Sequence, residues 1–349
     1  MKPAGIKGRG AQSDGISERF GLPVREAENS EPSGPRRTTV TEETPRSIVT
    51  FNQSPDIPFD RSINAYRGCE HGCIYCYARP SHAYLDLSPG LDFETKLFAK
   101  PNAAQLLRET FARPRYQPAP IALGTNTDPY QPIEERYEIT RQILEVCLEA
   151  RHPVTITTKS DRVLRDLDLL VALAERNLTA VAISITSLDR NLSRLLEPRA
   201  ATPDKRIAAI ASLAQHRVPV HCSIAPVIPA LTDEYLERIV ESAAAAGVRS
   251  INWIPVRLPH EVAPLFREWL NTHYPDRAQK VMTIVQSMRS GRDNDPRFFS
   301  RFRASGVWAD LLRARFKLAC RRAGIANARL ELDCSAFCKT QDSQQLRLF

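Results

Sequence analysis

Short apolar runs alternate with helix-like segments through the middle of this chain, and this alternation restricts its fold more than any other feature. Five runs have the length and composition of buried strands, at residues 120–123, 154–158, 180–185, 218–225 and 250–255. The segments between them carry apolar residues at spacings of three and four, at residues 133–150, 162–176, 203–216 and 233–246. Repeated alternation of this kind predicts parallel strands with helices packed outside them.

Five or six such units predict an α/β fold, a partial (β/α)6 barrel of the TIM type. In such barrels the functional groups gather at the carboxyl ends of the strands. We expect the core barrel at residues 57–258, followed by a helical, basic extension at 259–330 and a tail at 331–349. Residues 1–56 are rich in Gly, Pro, Ser, Glu and Arg without periodicity, which predicts a disordered leader or a loose strap over the domain surface.

The composition indicates the cellular location of the protein and the role of its cysteines. No apolar stretch approaches the length that spans a bilayer, and the N-terminal residues lack the apolar centre of a secretory signal, so we expect a cytoplasmic protein. Eight cysteines in 349 residues do not suggest a disulfide scaffold, because disulfide-rich chains are short and secreted. Three of the eight are clustered, which points to metal ligation.

These three are Cys69, Cys73 and Cys76, with the spacing C-x3-C-x2-C. Three thiolates this close can hold three irons of a cubic cluster and leave the fourth iron open to a ligand. One alternative is a zinc site completed by His71, although structural zinc usually uses two separated ligand pairs. Buried free thiols are a further alternative, but they would not explain the clustering.

The aromatic Tyr75 directly before the third cysteine gives the motif its specificity. The segment resembles the signature of the radical S-adenosylmethionine (SAM) superfamily, C-x3-C-x-aromatic-C. Within that superfamily the chain resembles the branch of spore photoproduct lyase and related DNA repair photolyase-like proteins. The supporting segments are residues 72–78, 126–130, 158–160 and 225–229.

The resemblance implies cofactors and a reaction class. SAM would bind the open iron of a [4Fe–4S] cluster on the three cysteines. An electron from an external flavodoxin-like or ferredoxin-like donor would split SAM into methionine and a 5′-deoxyadenosyl radical, which takes a hydrogen atom from the substrate. No residue is assigned to the hydrogen transfer itself.

The resemblance also implies SAM-binding residues near the cluster. Tyr75 would lie near the adenine, although packing within its own loop is an equal alternative. Thr125, Asn126 and Asp128 occupy the position where the superfamily's second strand contacts the amino group of SAM, and a carboxylate suits a cationic amine. The alternative for Asp128 is the cap of a proline-bounded turn.

Three further candidates lie at later strand ends. Lys159 is a candidate partner for the SAM carboxylate, and Ser184 offers a hydroxyl to the ribose or carboxylate. Either could equally be a solvated strand-end residue. Arg199, in a Glu-Pro-Arg segment that resembles a motif of the branch, could contact SAM or the substrate.

The remaining cysteines depart from the branch. Spore photoproduct lyase uses an additional cysteine near its second strand as a hydrogen donor, and no cysteine lies between Cys76 and Cys147 here. Lysis of the spore photoproduct is therefore not expected. Cys147 and Cys222 suit packed positions. The Cys334/Cys338 pair could ligate a second cluster, form a redox pair or have no role, although two ligands are too few for a cluster without help from Cys320 or Cys222.

Two features bear on partners. From Arg289 to Arg329 the chain has eleven Lys and Arg against three Asp, an excess that suits DNA or equally a solvated helix face. The last residues, from Gln345 to Phe349, resemble the pentapeptide that docks bacterial repair proteins on the DNA sliding clamp, with self-packing as the alternative. We expect a nucleic-acid substrate. A protein or small-molecule substrate, or a non-catalytic nucleic-acid-binding protein with zinc or a cluster, are the alternatives.

Overall fold

A computed structural model describes residues 9–15, 17, 37–326 and 330–339 of the protein. The strands of this described part, β1 to β10, are Thr39–Glu42, Val49–Phe51, Arg61–Ile63, Tyr66–Arg67, Lys96–Ala99, Ile121–Leu123, Val154–Thr158, Thr179–Ser184, Val220–Val227 and Ser250–Pro255. Its α-helices, α1 to α11, are Leu91–Thr95, Ala103–Ala112, Glu134–Tyr137, Ile139–Glu149, Leu167–Ala174, Arg190–Leu196, Pro203–Gln215, Leu236–Ala245, Val262–His273, Pro275–Ser287 and Val307–Arg322. Short 3-10 helices cover Arg79–Leu85, Asp161–Asp166 and Asp233–Tyr235.

The larger sheet has seven strands in the order β10-β9-β8-β7-β6-β3-β2. Strands β3 and β6 to β10 are parallel neighbours, and β2 closes the edge as an antiparallel partner of β3. Because each parallel strand after β3 follows a helical crossover, the helices pack outside the sheet. The predicted partial (β/α)6 barrel is thereby confirmed.

One continuous apolar core joins the barrel strands to their helices. Val154 and Ile156 of β7 are fully buried, as are Ile143 and Leu144 of α4. In α4 the buried side chains recur at spacings of one, three and four residues along the face turned to the sheet, which is the pattern that predicts an amphipathic helix.

The described part of the leader, which was expected to be disordered or a loose strap over the domain surface, includes the strands β1 and β2. Strand β1 pairs in parallel with β5, and β4 pairs antiparallel with β5 to complete a three-stranded sheet. Ahead of β1, the backbone N–H groups of Gly10 and Ala11 donate to Glu94 over 3.0 and 2.8 Å. The short strands gain their stability from these distant partners, so local periodicity does not reveal them.

The C-terminal extension is helical only in part. Helices α9 and α10 come first, and α11 begins at Val307. Residues 288–306 between them form turns and irregular backbone. Gly291 and Gly306 have φ values of +82° and +86°, and Pro296 lacks an N–H, so a continuous helix is disfavoured there.

The described tail packs on the barrel. Phe337 lies in an aromatic cluster with Phe111, Tyr116 and His152, at ring-centroid distances of 5.5 to 5.6 Å. The segment from Gln345 to Phe349, which resembles a clamp-binding peptide, lies outside the described residues. Among the described helices, none combines the length and apolar character that a membrane crossing needs.

Candidate functional site

The three clustered cysteines lie on one loop that follows β4 at the carboxyl edge of the barrel. Cys69 and Cys73 are buried and Cys76 is partly exposed. The loop is fixed to two other parts of the chain through its backbone. The N–H of Cys69 donates to the carbonyl of Phe93 over 2.9 Å, and that of Ile74 donates to the carbonyl of Leu196 over 3.0 Å.

Two glycines allow this loop its shape. Gly68 has φ +73°, and a Cβ there would lie 2.6 Å from the Leu97 side chain and 2.9 Å from the Phe93 carbonyl oxygen. Gly72 has φ +65°, and its Cβ would lie 3.0 Å from a carboxylate oxygen of Glu94. Any other residue at either position would strain the backbone and displace its neighbours.

A buried ion pair between Arg79 and Glu94 fixes the loop to the chain that follows it. Both side chains are completely buried. The Arg79 guanidinium also donates to the carbonyls of Cys73, Gly72, Pro89 and Gly90, over 2.9 to 3.2 Å. Because all three nitrogens of the guanidinium donate hydrogen bonds, Arg79 ties the cysteine loop to the chain around Gly90.

Arg199 also fixes the loop, through both its side chain and its backbone. Its Nη1 donates to Glu70 Oε1 over 2.6 Å, and its backbone N–H donates to the carbonyl of His71 over 3.2 Å. The backbone N–H of Glu70 in turn donates to Gln131 Oε1 over 2.9 Å. Arg199, expected to contact SAM or the substrate, therefore has its guanidinium paired with a loop carboxylate.

Asp128 is saturated by groups of the protein. Its carboxylate accepts from the Thr158 hydroxyl over 2.6 Å, from the Lys159 N–H over 2.7 Å and from the Tyr130 N–H over 2.9 Å. The His71 Nδ1 lies 3.3 Å away on the same carboxylate. Burial alone would raise the pKa of Asp128, but the His71 ring and these hydrogen bonds outweigh burial and lower it to about 2. Asp128 joins the cysteine loop to the ends of β6 and β7, and a contact with the SAM amine stays a prediction.

Tyr75 belongs to a second buried polar group. Its hydroxyl donates to Glu197, which also pairs with Arg206 and accepts from the Thr186 hydroxyl over 2.8 Å. Burial alone would raise the pKa of Glu197, but the charges of Arg206 and Lys159 and the hydrogen bonds lower it. The Lys159 Nζ lies 6.0 Å from the centre of the Tyr75 ring. Two predicted SAM contacts, Tyr75 and Lys159, are thus neighbours beside the cysteines.

The other predicted contacts lie at strand ends of the same edge. Thr125 and Asn126 follow β6 and are held by Asn64, whose Oδ1 accepts from the Asn126 N–H over 2.9 Å. Ser184 ends β8 and is buried, and its carbonyl accepts from Arg206 Nη1 over 2.9 Å. The structure therefore gathers the predicted residues at one edge.

The donor set of the loop fits an iron–sulfur cluster. Burial raises the pKa of all three thiols, so ligation has to displace their protons. The buried His71 Nε2 has no hydrogen-bond partner among the described residues, which leaves a polar atom of this loop available. In that same part of the chain no three Cys, His, Asp or Glu side chains converge as one metal ion would require. A cluster needs no such convergence, because each thiolate binds a different iron.

The remaining cysteines lie outside the loop. Cys147, Cys222 and Cys320 are buried in the core, as their sequence positions suggested for the first two. Cys334 and Cys338 lie in the tail, where Cys338 Sγ is 3.6 Å from the Glu149 carbonyl oxygen.

Sequence reasoning missed the side chains that frame the loop. Glu94 and Arg206 carry no local motif, and Glu197 was noted only as a neighbour of Arg199. Their partners lie elsewhere in the chain, as with Glu197 and Tyr75, which are 122 residues apart.

Comparison with known proteins now identifies the family. The radical SAM superfamily matches residues 63–243, which is more than half of the chain and includes the cysteine loop. This chain belongs to the radical SAM superfamily. Membership implies SAM and an iron–sulfur cluster as cofactors and an external electron donor. A protein of Mycobacterium tuberculosis is 38% identical over 66% of this chain and 68% of its own length. One of Methanocaldococcus jannaschii is 29% identical over 61% and 76%.

Among solved structures, spore photoproduct lyase shares the fold. A complex with dinucleoside spore photoproduct superposes with a TM-score of 0.58 at 15% identity, covering 81% of this chain and 79% of that one. A mutant with bound AdoMet and the same dinucleoside gives a TM-score of 0.57 at 15% identity, with the same coverage. The predicted resemblance to this branch is confirmed at the level of fold.

Proposed function

We propose that this radical SAM protein holds a [4Fe–4S] cluster on Cys69, Cys73 and Cys76, cleaves SAM reductively and acts on nucleic acid. The observation that supports it most is the cysteine loop. Its three thiols form no disulfide, and they lie, two buried and one partly buried, at the edge where a barrel performs chemistry. A buried ion pair, Arg79–Glu94, and a partly exposed one, Arg199–Glu70, hold the loop on two sides, so the thiols are positioned before a cluster arrives.

When bound, the cluster and SAM supply one-electron cleavage of the sulfonium and a 5′-deoxyadenosyl radical, with a flavodoxin-like or ferredoxin-like protein as the electron source. The protein's own residues orient these groups and exclude water. Tyr75 is held by Glu197 and Thr186, and Lys159 lies over its ring. We assign Tyr75 to the adenine and Lys159 to the carboxylate of SAM.

The other predicted contacts divide into two groups. Thr125, Asn126 and Ser184 lie at strand ends next to the loop and suit direct contact with SAM. The Asp128 carboxylate and the Arg199 Nη1 are occupied by the loop and its neighbours, so we propose that these two act as positioning residues.

Nucleic acid as the substrate class is supported by two observations. Solved structures of spore photoproduct lyase, which has the same fold, hold a dinucleoside. Arginines and exposed aromatic side chains also lie together beside the cysteine loop, as with Arg257 and Tyr77 at 6.0 Å. Lysis of the spore photoproduct itself is not proposed, because no cysteine lies between Cys76 and Cys147.

The first experiment tests the cluster. The full chain is purified anaerobically and reconstituted with iron and sulfide, and 5′-deoxyadenosine released from SAM under dithionite is measured. We expect product and about four irons per chain, and neither in Cys69→Ala/Cys73→Ala/Cys76→Ala. The matched control, Cys147→Ala/Cys222→Ala/Cys320→Ala, removes three buried thiols outside the loop and keeps its iron. Bound zinc and intact SAM would contradict the proposal.

The second experiment tests the substrate class. We expect single-stranded or damaged DNA to increase 5′-deoxyadenosine formation several-fold, and this gain to fall as salt is raised, because phosphate contacts release counterions. Equal rates with and without DNA and RNA would assign the same chemistry to a protein or small-molecule substrate.

A further inference from the structure

Two arginines, Arg257 and Arg289, meet at the carboxyl end of the last barrel strand. Arg257 follows β10 by two residues, and Arg289 follows α10. The Nη2 of Arg289 donates to the carbonyl of Val256 over 2.7 Å, which places its guanidinium against the backbone next to Arg257. Tyr77, directly after the third cysteine, has its ring centre 6.0 Å from Arg257 Cζ, so the pair lies beside the cysteine loop.

The Arg289 guanidinium is buried and that of Arg257 is partly buried, and both lack some of the partners that buried arginines normally have. Arg289 is 3% exposed. Its Nε and Nη1, and the Nε of Arg257, are buried and have no hydrogen-bond partner within the described residues. Buried N–H donors of a cation are costly to leave unpaired, so this arrangement suits a ligand that accepts hydrogen bonds.

The neighbouring carboxylates are already taken by other arginines. Asp295 pairs with Arg297 over 2.8 Å, and Asp56 pairs with Arg301 over 2.6 Å. Burial lowers the pKa of Arg289 to about 10, and the positive charge of Arg257 adds to that effect. Asp295 and Asp56 act on Arg289 and Arg257 at longer range, but no carboxylate of the described residues forms an ion pair with either cation. A bound anion would offset the repulsion between the two arginines.

Aromatic side chains complete the surroundings. The Phe302 ring centre lies 4.6 Å from Arg257 Cζ, so it packs on the face of that guanidinium and leaves the in-plane N–H groups free to donate. Phe298 and Phe299 are 52% and 59% exposed, and Arg301 lies 5.0 Å from the Phe298 ring centre. Exposed aromatic rings interleaved with arginines are the surface on which nucleobases stack.

We propose that Arg257 and Arg289 bind a phosphate group of the nucleic-acid substrate at the edge of the barrel. The guanidinium fork matches phosphate geometry, and the exposed phenylalanines favour a phosphodiester that carries bases over a free anion. This inference rests on the proposed function for the identity of its ligand.

The test measures binding of a fluorescein-labelled single-stranded DNA to the reconstituted full chain by anisotropy, at several salt concentrations. Arg257→Met/Arg289→Met is expected to lower affinity about tenfold or more and to reduce the slope of log K against log salt by about one. The control Arg113→Met/Arg115→Met removes the same charge from exposed positions in the loop between α2 and β6, outside the basic segment, and is expected to change affinity less than threefold. Equal losses in the two double variants would overturn the proposal.

Two further arms separate other sources of the anion. Equilibrium dialysis of SAM is expected to give the same affinity in both double variants, and selective loss of SAM binding would assign the arginines to the SAM carboxylate instead. Inorganic phosphate is expected to raise the melting temperature of the wild type over chloride at equal ionic strength, and not that of the Arg257/Arg289 variant. If the double variant does not fold, Arg257→Met alone, at a partly exposed site, takes its place.

The outcome is separable from that of the proposed function. A protein that releases no 5′-deoxyadenosine but loses DNA affinity selectively in the arginine variant would keep the phosphate site and lose the enzyme assignment. A protein that cleaves SAM and whose arginine variant binds DNA as the control does would give the opposite result.

Discussion

Arg79 and Arg289 are both buried arginines beside the same loop, yet the chain surrounds them in opposite ways. Arg79 pairs with Glu94 and donates to four carbonyls. Arg289 donates to one carbonyl and keeps two buried nitrogens without a partner among the described residues. A satisfied guanidinium stabilises the native state, whereas an unsatisfied one costs stability and suits binding. The difference separates two groups of residues. Arg79 and Glu94 fix the cysteine loop, and we call this pair the frame of the loop, whereas Arg289 belongs to the surface that we propose meets the substrate.

The largest expected effect is on the frame. Arg79→Met leaves the Glu94 carboxylate buried without its cation, and we expect a loss of about 3–5 kcal/mol in the free energy of unfolding. Urea denaturation followed by circular dichroism measures it, and the iron content after reconstitution should fall as well. Arg190→Met, which breaks the exposed pair with Asp204, should cost less than about 1 kcal/mol.

A double variant sharpens this result. Arg79→Met/Glu94→Met removes both charges and should recover part of the lost stability, although the N–H groups of Gly10 and Ala11 then lose their acceptor. If Arg79→Met costs no more than Arg190→Met, the loop does not depend on the buried pair, and the comparison with Arg289 fails.

A smaller effect on stability is expected at His152, whose pKa is set by burial rather than by an ion pair. The ring stacks on Phe111 at 4.3 Å, and burial lowers the pKa of His152 to about 4. Because the unfolded chain binds a proton near pH 6.5 and the folded chain does not, stability is present above that pH and is lost as the pH falls toward 4. We expect a loss of about 2 kcal/mol between pH 7 and pH 5. His152→Gln, compared by urea denaturation at both pH values, should be less pH-dependent by that amount, and an unchanged dependence would contradict the assignment.

How much of the fold the sequence reveals depends on where each strand finds its partners. Strand β7 is observed at the residues predicted for it, because five successive β-branched residues between two helical patterns favour a strand of the parallel sheet. Strand β1 is largely exposed and its partner β5 begins more than fifty residues later, so no alternation of apolar and polar residues predicts this strand. The turns at 288–306 were missed because the whole extension was expected to be helical, although residues 289–297 contain no apolar side chain apart from Pro296 and also include Gly291.

The site shows the same division. The cysteines are evident because a cluster loop keeps its ligands close in sequence. Asp128 and Arg199 were placed at the correct edge, but their partners Thr158 and Glu70 follow only from the folded chain. A motif indicates which residues meet, and the structure then shows how many of their hydrogen bonds the protein itself fills.

Asp128 offers a way to test that division between positioning and direct contact. Asp128→Asn weakens the hydrogen bonds to Thr158 and His71, and we expect a loss of about 1–2 kcal/mol in stability together with lower iron content. Thr158→Val, which removes one donor to the same carboxylate, should cost less. A variant with unchanged stability and iron but a higher dissociation constant for SAM would instead make Asp128 a direct SAM contact.

The smallest expected change in stability is at Arg289. Arg289→Met forfeits one hydrogen bond to the Val256 carbonyl but removes a buried cation, so without phosphate or DNA we expect stability within about 0.5 kcal/mol of the wild type, or above it. Added phosphate or DNA binds the native wild type and should raise its melting temperature above that of the variant, because a ligand of the folded state alone stabilises that state. Thermal denaturation with and without ligand measures the reversal. If Arg289→Met instead loses as much stability as Arg79→Met in the absence of ligand, its guanidinium is part of the frame. Both buried arginines would then stabilise the folded chain, and neither would be kept for a ligand.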